Sequence, residues 1–80
     1  MGKRRECIVE VYVPQLSKRL DLKLNHDMRI GDLIRQIHFF LGSDKKPGVL
    51  SDKGNGLFYD PDKTVSEQGI RTGKRMMYRF

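Results

Sequence analysis

The residues that could carry out chemistry in this 80-residue chain are few and scattered. Its one cysteine is Cys7, and its two histidines, His26 and His38, fall in different predicted elements. This set offers no pairing of a nucleophile with a general base and no plausible group of zinc ligands. We therefore expect no enzyme activity, no cofactor and no metal site. Cys7 is expected to pack as a small apolar residue.

The run from Gly69 to Lys74 has some features of a phosphate-binding loop. In such a loop, backbone N–H groups and a lysine hold the phosphates, and a Ser or Thr follows the lysine. Here the two glycines, Gly69 and Gly73, are too close together, and Arg75 stands where the Ser or Thr is required. These differences exclude nucleotide binding of this kind.

Basic residues are the more informative chemical feature, because 16 Lys and Arg residues outweigh 10 Asp and Glu and leave a net charge of +6. Such a surplus attracts acidic proteins, anionic membrane surfaces or nucleic acid. Six of these residues flank the first and last predicted strands and form what we call the basic patch: Lys3, Arg4, Arg5, Arg71, Lys74 and Arg75. If the two strands are parallel neighbours, these side chains converge at one end of the sheet. We expect the basic patch to bind an acidic partner; the alternative is a solvated rim that binds nothing.

Aromatic residues provide a second set of candidate contacts. Helical spacing turns Phe39 about 180° away from Ile30 and the apolar face of its helix. His38 is predicted on the flank of the same helix, and Tyr12 on the outer face of the first strand. We expect Phe39, with His38, to anchor a partner protein or a second copy of the chain, and Tyr12 to add contact. The alternative is that Phe39 is an incidental surface residue or is covered by a loop.

Alternating and helical patterns define the elements that position these residues. Residues 7–13 alternate, with Cys7 and the valines on one face, and Pro14 ends this strand. Residues 18–24 alternate in the same way and complete an N-terminal hairpin. Residues 30–41 then follow the helical period, and Gly42 provides a C-cap. The apolar face of this helix is predicted to contain Ile30, Leu33, Ile34, Ile37, Phe40 and Leu41.

The second half of the chain predicts shorter elements. Residues 49–51 and 57–59 suggest short strands around a turn, and residues 64–68 suggest one helical turn with Val65 and Ile70 facing inward. The last strand, 74–80, places Met76 and Tyr78 on one face with Phe80. This order predicts one α+β domain over residues 1–80, with residues 1–6 a flexible basic N-terminus. One helix packs across a mixed sheet of four to five strands. This order is that of the β-grasp arrangement, and by analogy with that fold we expect the first and last strands to lie parallel at the centre.

The sequence resembles the ubiquitin-like superfamily over nearly its whole length. The resemblance rests on residues 63–70, on the strand that follows them, and on the apolar spacing of residues 29–37. Through residues 69–73, the chain is most similar to the YukD-like proteins of Gram-positive type VII secretion systems, although Lys74 and Arg75 stand where an acidic residue is common. The resemblance implies a cytoplasmic bacterial protein that assists or regulates secretion by binding a protein, with secretion-system components among the candidate partners. The sequence ends at Phe80 without a glycine pair, so we expect it not to be conjugated.

Two other functions remain open. A nucleic-acid-binding domain would use the basic patch, but the outer face of the predicted sheet offers Tyr12 and little else for base stacking. A conjugable tag would require that the natural chain continue past Phe80 to a glycine pair. No apolar run reaches the roughly 20 residues that cross a bilayer, and no secretory signal is present. We therefore expect a cytoplasmic protein with no transmembrane segment.

Overall fold

The computed structural model describes residues 5–42, 44 and 46–80. Within them the strands are β1 (Glu6–Val13), β2 (Lys18–Asn25), β3 (Val49–Asp52) and β4 (Arg75–Arg79), and the α-helix is α1 (Ile30–Leu41). The strands form one sheet in the order β2-β1-β4-β3. β1 and β4 are parallel, whereas β1–β2 and β3–β4 are antiparallel. This architecture confirms the predicted α+β, β-grasp fold with its first and last strands at the centre.

The core lies between the inner face of the sheet and the apolar face of α1. Alternate residues of β1 are buried, and they face inward together with alternate residues of β4. Burial of Cys7 agrees with its expected packing and raises the pKa of its thiol. The buried apolar residues are Cys7, Val9, Val11, Val13, Leu24, Ile30, Leu33, Ile34, Ile37, Leu50, Val65, Ile70, Met76 and Tyr78.

The flanks of α1 differ from the sequence prediction. The helix ends at Leu41, and Gly42 closes it in the left-handed region (φ 68°), as expected. However, Phe40, predicted in the core, is 68% exposed, and His38, predicted on the surface, is buried. Tyr78 and Phe80 pack against His38 and so cover that flank. The flank with Phe40 is left in solvent.

Other differences concern the ends of elements. β1 begins at Glu6, which pairs with Asn25, so the expected flexible segment does not extend to Glu6; residues 1–4 lie outside the described residues. The strand predicted at 57–59 is a single bridge between Ser51 and Phe58, because the chain turns away at 60–62. The last strand is Arg75–Arg79, slightly shorter than predicted.

The turn at 64–68 was predicted correctly. The Gln68 N–H donates to the Thr64 carbonyl at 3.1 Å, and Val65 and Ile70 are buried. Thr64 and Glu67 form a reciprocal capping box: the Thr64 N–H donates to Glu67 Oε1 (2.9 Å), and the Glu67 N–H donates to Thr64 Oγ1 (3.1 Å). This local pairing explains why a short turn without an apolar stripe is well defined.

Candidate functional site

The described members of the basic patch, Arg5, Arg71, Lys74 and Arg75, do not all converge at one end of the sheet as predicted. Arg75 pairs with Glu10 in the middle of β1, whereas Arg5 precedes the strand, a separation of about five residues or roughly 16 Å. The segment before β4 runs alongside β1, since the Gly73 N–H donates to the Ile8 carbonyl at 2.9 Å. This places Arg71 nearer the start of β1 than Arg75. Lys3 and Arg4 lie outside the described residues.

Carboxylates neutralise part of the basic patch. Lys74 Nζ lies 2.5 Å from Asp52 Oδ2, Arg75 Nε 3.9 Å from Glu10 Oε1, and Arg5 Nη1 3.2 Å from Asp27 Oδ2. Within the described part of the chain, Arg71 is exposed and makes no ion pair. The three ion pairs leave fewer unpaired cations in the basic patch than the sequence suggests. Partner binding by the basic patch stays a prediction.

Asp52 is a buried carboxylate with several partners, and sequence reasoning did not single it out. Its Oδ1 accepts the N–H groups of Gly54 (2.7 Å) and Asn55 (3.3 Å), and its Oδ2 faces Lys74. The hydrogen bond from Lys74 holds the pKa of Asp52 below its ordinary value of 3.8, although burial opposes this shift. The Tyr59 hydroxyl donates to Oδ2 at 3.4 Å, and burial, followed by the Asp52 charge, raises the pKa of Tyr59. Asp52 therefore fixes a turn, and its oxygens are occupied.

His38 is a structural residue, so its predicted role as a partner contact was wrong. Its Nδ1 lies 2.9 Å from the Tyr78 hydroxyl, which also accepts the Gly48 N–H at 2.8 Å. The His38 ring meets Phe80 edge-on, with 5.9 Å between the ring centroids. The signal available in the sequence was Tyr78, whose inward position requires a buried hydrogen-bond partner for its hydroxyl.

Phe39 and Phe40, which we call the helix aromatic pair, are adjacent in the chain and both exposed near the C-terminal end of α1. Phe39 is 87% exposed, which confirms its predicted orientation, and Phe40 is 68% exposed. Large aromatic side chains that stay exposed are typical anchors for partner proteins. Phe39 and Phe40, rather than Phe39 and His38, are therefore the exposed side chains at this end of α1.

Tyr12 belongs to a row that crosses the outer face of the sheet. It is half-buried and pairs with Met77, which pairs with Ser51, which in turn bridges to Phe58. We call these four residues the outer row. Lys53 Nζ lies 5.0 Å from the centroid of the Tyr12 ring, so the ring is partly covered by a cation.

Two further properties concern metals and membranes. Among the described residues, no group of three or more His, Cys, Asp or Glu side chains is placed to hold a metal ion. In the same part of the chain, no helix is long and apolar enough to cross a membrane.

Solved structures of ubiquitin-like domains share this architecture. The ubiquitin-like domain of yeast Ddi1 matches with a TM-score of 0.76 and 19% identity over 99% of this chain and 93% of that one. The ubiquitin of Caldiarchaeum subterraneum matches with a TM-score of 0.77 and 13% identity over 92% and 91%. The ubiquitin-like domain of the Arabidopsis thaliana protein At2g32350 matches with a TM-score of 0.73 and 22% identity over 96% and 79%. The sequence matches no protein-family model and no curated protein.

These likenesses define the class of architecture. Identities at this level show the fold alone. The chain has the ubiquitin-like β-grasp fold.

Proposed function

We propose that this chain is a non-conjugating ubiquitin-like module that acts by binding another protein. The helix aromatic pair is the observation that carries the proposal, because two adjacent phenylalanines are 87% and 68% exposed on one end of α1. Burying a phenylalanine side chain stabilises an assembly by about 1.5–3 kcal/mol. A partner that covers both rings would gain that energy without any rearrangement of the core.

The titratable groups with shifted pKa values support binding over catalysis. Asp52 and Tyr59 hold a turn together. The pKa of Glu67 is lowered by the backbone N–H of Thr64, within the capping box. Cys7 is buried in the core. Each shift is accounted for by a structural contact, and none accompanies a nucleophile–base pair.

The net charge of +6 favours an acidic partner, with the basic patch and Tyr12 adding contacts separate from the helix aromatic pair. A finer proposal rests on the resemblance of residues 69–73 to YukD-like proteins: a cytoplasmic, bacterial accessory or regulatory component of type VII secretion. Gly69 and Gly73 have φ values of 69° and 94°. These angles favour glycine at both positions, so the segment behind the resemblance is conformationally specific.

The test is capture of partners from nuclease-treated native cytosol and detergent-solubilised membranes on the immobilised domain, with elution by a salt gradient. Phe39→Asp is the disrupting variant. Gln36→Asp, which adds the same charge at another exposed position of α1, is the matched control. We expect a protein that resists high salt on the wild type and on Gln36→Asp, and that is lost with Phe39→Asp.

The same experiment has three contradicting outcomes. A partner captured equally by Phe39→Asp would show that the helix aromatic pair is not the contact. Global unfolding of Phe39→Asp would show that Phe39 supports the core, since an exposed substitution should change the unfolding free energy by no more than about 0.5 kcal/mol. Polyanions that elute early, with no retained protein, would favour the nucleic-acid-binding alternative and remove the secretion proposal.

Conjugation status is tested separately by the intact mass of the natural protein. A mass equal to that of the 80-residue chain supports a non-conjugating module. A longer chain that ends in a glycine pair would support the alternative, a conjugable tag.

A further inference from the structure

The outer row is an apolar stripe on a sheet face that also carries charged side chains. The outer face of an antiparallel or mixed sheet that meets solvent is usually polar. Here Tyr12, Met77 and Phe58 follow one another across the sheet, with only the small Ser51 between Met77 and Phe58. Phe58 is 70% exposed and Met77 is half-buried. A partner could therefore cover large apolar side chains at this position.

Two cations border the outer row on opposite sides. Arg79 follows Met77 by two residues on β4, so its side chain shares the outer face roughly 7 Å farther along the strand. Lys53 lies on the other side of Met77, because its N–H donates to the Arg75 carbonyl at 3.0 Å. The two cations thus lie about two residues before and two residues after Met77.

Lys53 and Arg79 differ from the other cations of this surface. Arg19 and Arg75 face Glu10, and Lys74 faces Asp52. Within the described part of the chain, Lys53 and Arg79 make no ion pair. A carboxylate from outside the chain would therefore find both of them available.

A shallow cavity of about 280 Å³ lies between these cations. Met77 and Phe58 are its large apolar walls, and Lys53 and Arg79 are its charged ends. Asp52 also lines it, but Lys74 and two backbone N–H groups already compensate that carboxylate. The volume lies just below the range usual for small-molecule sites and suits a single side chain.

We propose that this cavity binds an extended acidic segment of another protein, in which one large apolar residue has an acidic residue two positions away on each side. The apolar side chain packs on Met77 and Phe58, and the carboxylates pair with Lys53 and Arg79. Side chains two positions apart in an extended chain lie on one face roughly 7 Å apart, which matches the spacing on β4. The net charge of +6 disfavours a second copy of this chain as the occupant.

This site goes beyond the helix-surface docking proposed above and does not use Phe39. The probe is a fluorescently labelled peptide, Ser-Glu-Ser-Phe-Ser-Glu-Ser, and binding is measured by fluorescence polarisation. Two matched peptides replace its phenylalanine with alanine or its glutamates with lysine. We expect the wild-type chain to bind the probe, and to bind each matched peptide at least about tenfold more weakly.

Charge-reversal variants locate the site. Lys53→Glu and Arg79→Glu should each weaken binding of the probe by about tenfold or more, because each replaces an attraction with a repulsion. Lys63→Glu makes the same change in net charge beside the start of α1 and should weaken binding by less than about threefold. Phe39→Asp should bind like the wild type.

Several results would overturn the proposal. If Lys63→Glu weakened binding as much as Arg79→Glu, the attraction would be non-specific. If the alanine peptide bound as tightly as the phenylalanine peptide, the cavity would not be used. No detectable binding of the probe, or tighter binding of a single-stranded oligonucleotide with the same dependence on Lys53 and Arg79, would also reject it. Since partner capture through Phe39 is measured separately, this inference and the proposed function can fail independently.

Discussion

Replacement of Asp52 tests whether one buried carboxylate fixes the turn that carries Lys53. The Asp52 side chain is only 10% exposed, and its Oδ2 lies 2.5 Å from Lys74 Nζ. Its Oδ1 accepts N–H groups from Gly54 and Asn55. Asp52→Asn retains an oxygen for these two backbone donors and removes the charge. Asp52→Ala removes both the charge and the acceptor.

The two substitutions should differ in magnitude. Hydrogen bonds to a charged group contribute about 1.5–3 kcal/mol, whereas neutral ones contribute about 1 kcal/mol, so we expect Asp52→Asn to lower the unfolding free energy by about 1–2 kcal/mol. Asp52→Ala leaves the two backbone donors without this acceptor, and we expect a loss of about 2–4 kcal/mol. Because the Lys74 side chain is 38% exposed, water replaces part of the lost ion pair and favours the lower values.

Urea unfolding followed by circular dichroism measures these changes, with thermal unfolding as a second readout. For a domain of this size, a loss of 1 kcal/mol lowers Tm by roughly 4–8 °C. Lys74→Met, alone and combined with Asp52→Asn, provides a double-mutant cycle for the ion pair. The reasoning is refuted if Asp52→Ala lies within about 0.5 kcal/mol of the wild type. It is also refuted if Asp52→Asn costs as much as Asp52→Ala, since the backbone bonds would then contribute nothing.

Two further predictions concern pH and the buried hydroxyl. The folded-state pKa of Asp52 is lowered, so its contribution to stability is present above the unfolded pKa and is lost as pH falls through the folded pKa. The urea midpoint of the wild type should therefore fall as the pH drops below about 4, and it should fall less steeply for Asp52→Asn. Equal slopes for the two proteins would contradict this assignment. Tyr78→Phe removes the hydroxyl that bonds the Gly48 N–H and His38, and should cost about 1.5–3 kcal/mol of unfolding free energy. Tyr12→Phe, on the outer face, is the matched control and should change this free energy by less than about 0.5 kcal/mol; equal losses in the two variants would show that the buried network does not stabilise the fold.

Local pattern was enough to predict most of the elements. Alternation along residues 7–13 and 18–24 marks two half-buried strands, because successive side chains of a strand point to opposite faces. The helical period over residues 30–41, closed by Gly42, defines α1 within its observed bounds. These patterns depend on neighbouring residues and on backbone geometry, so they can be recognised without knowledge of the tertiary contacts.

The flanks of α1 could not be assigned in this way. At 100° per residue, His38 and Phe40 lie about 80° on either side of Ile30, so helical geometry treats them as equivalent. Tyr78 and Phe80 cover the flank with His38, and the flank with Phe40 remains exposed. The choice depends on where β4 lies beneath the helix, which is a long-range contact.

Composition, charge and the alternation of apolar residues could be read directly from the chain, because they are properties of residues and their spacing. The parallel register that pairs Glu10 with Arg75, and so separates Arg75 from Arg5 along β1, became visible only in the folded chain. The tertiary structure also decided that Met77 and Phe58 would share one row between Lys53 and Arg79. Strand register and the path of a connecting segment depend on hydrogen bonds between residues far apart in the chain, and local periodicity does not encode those bonds.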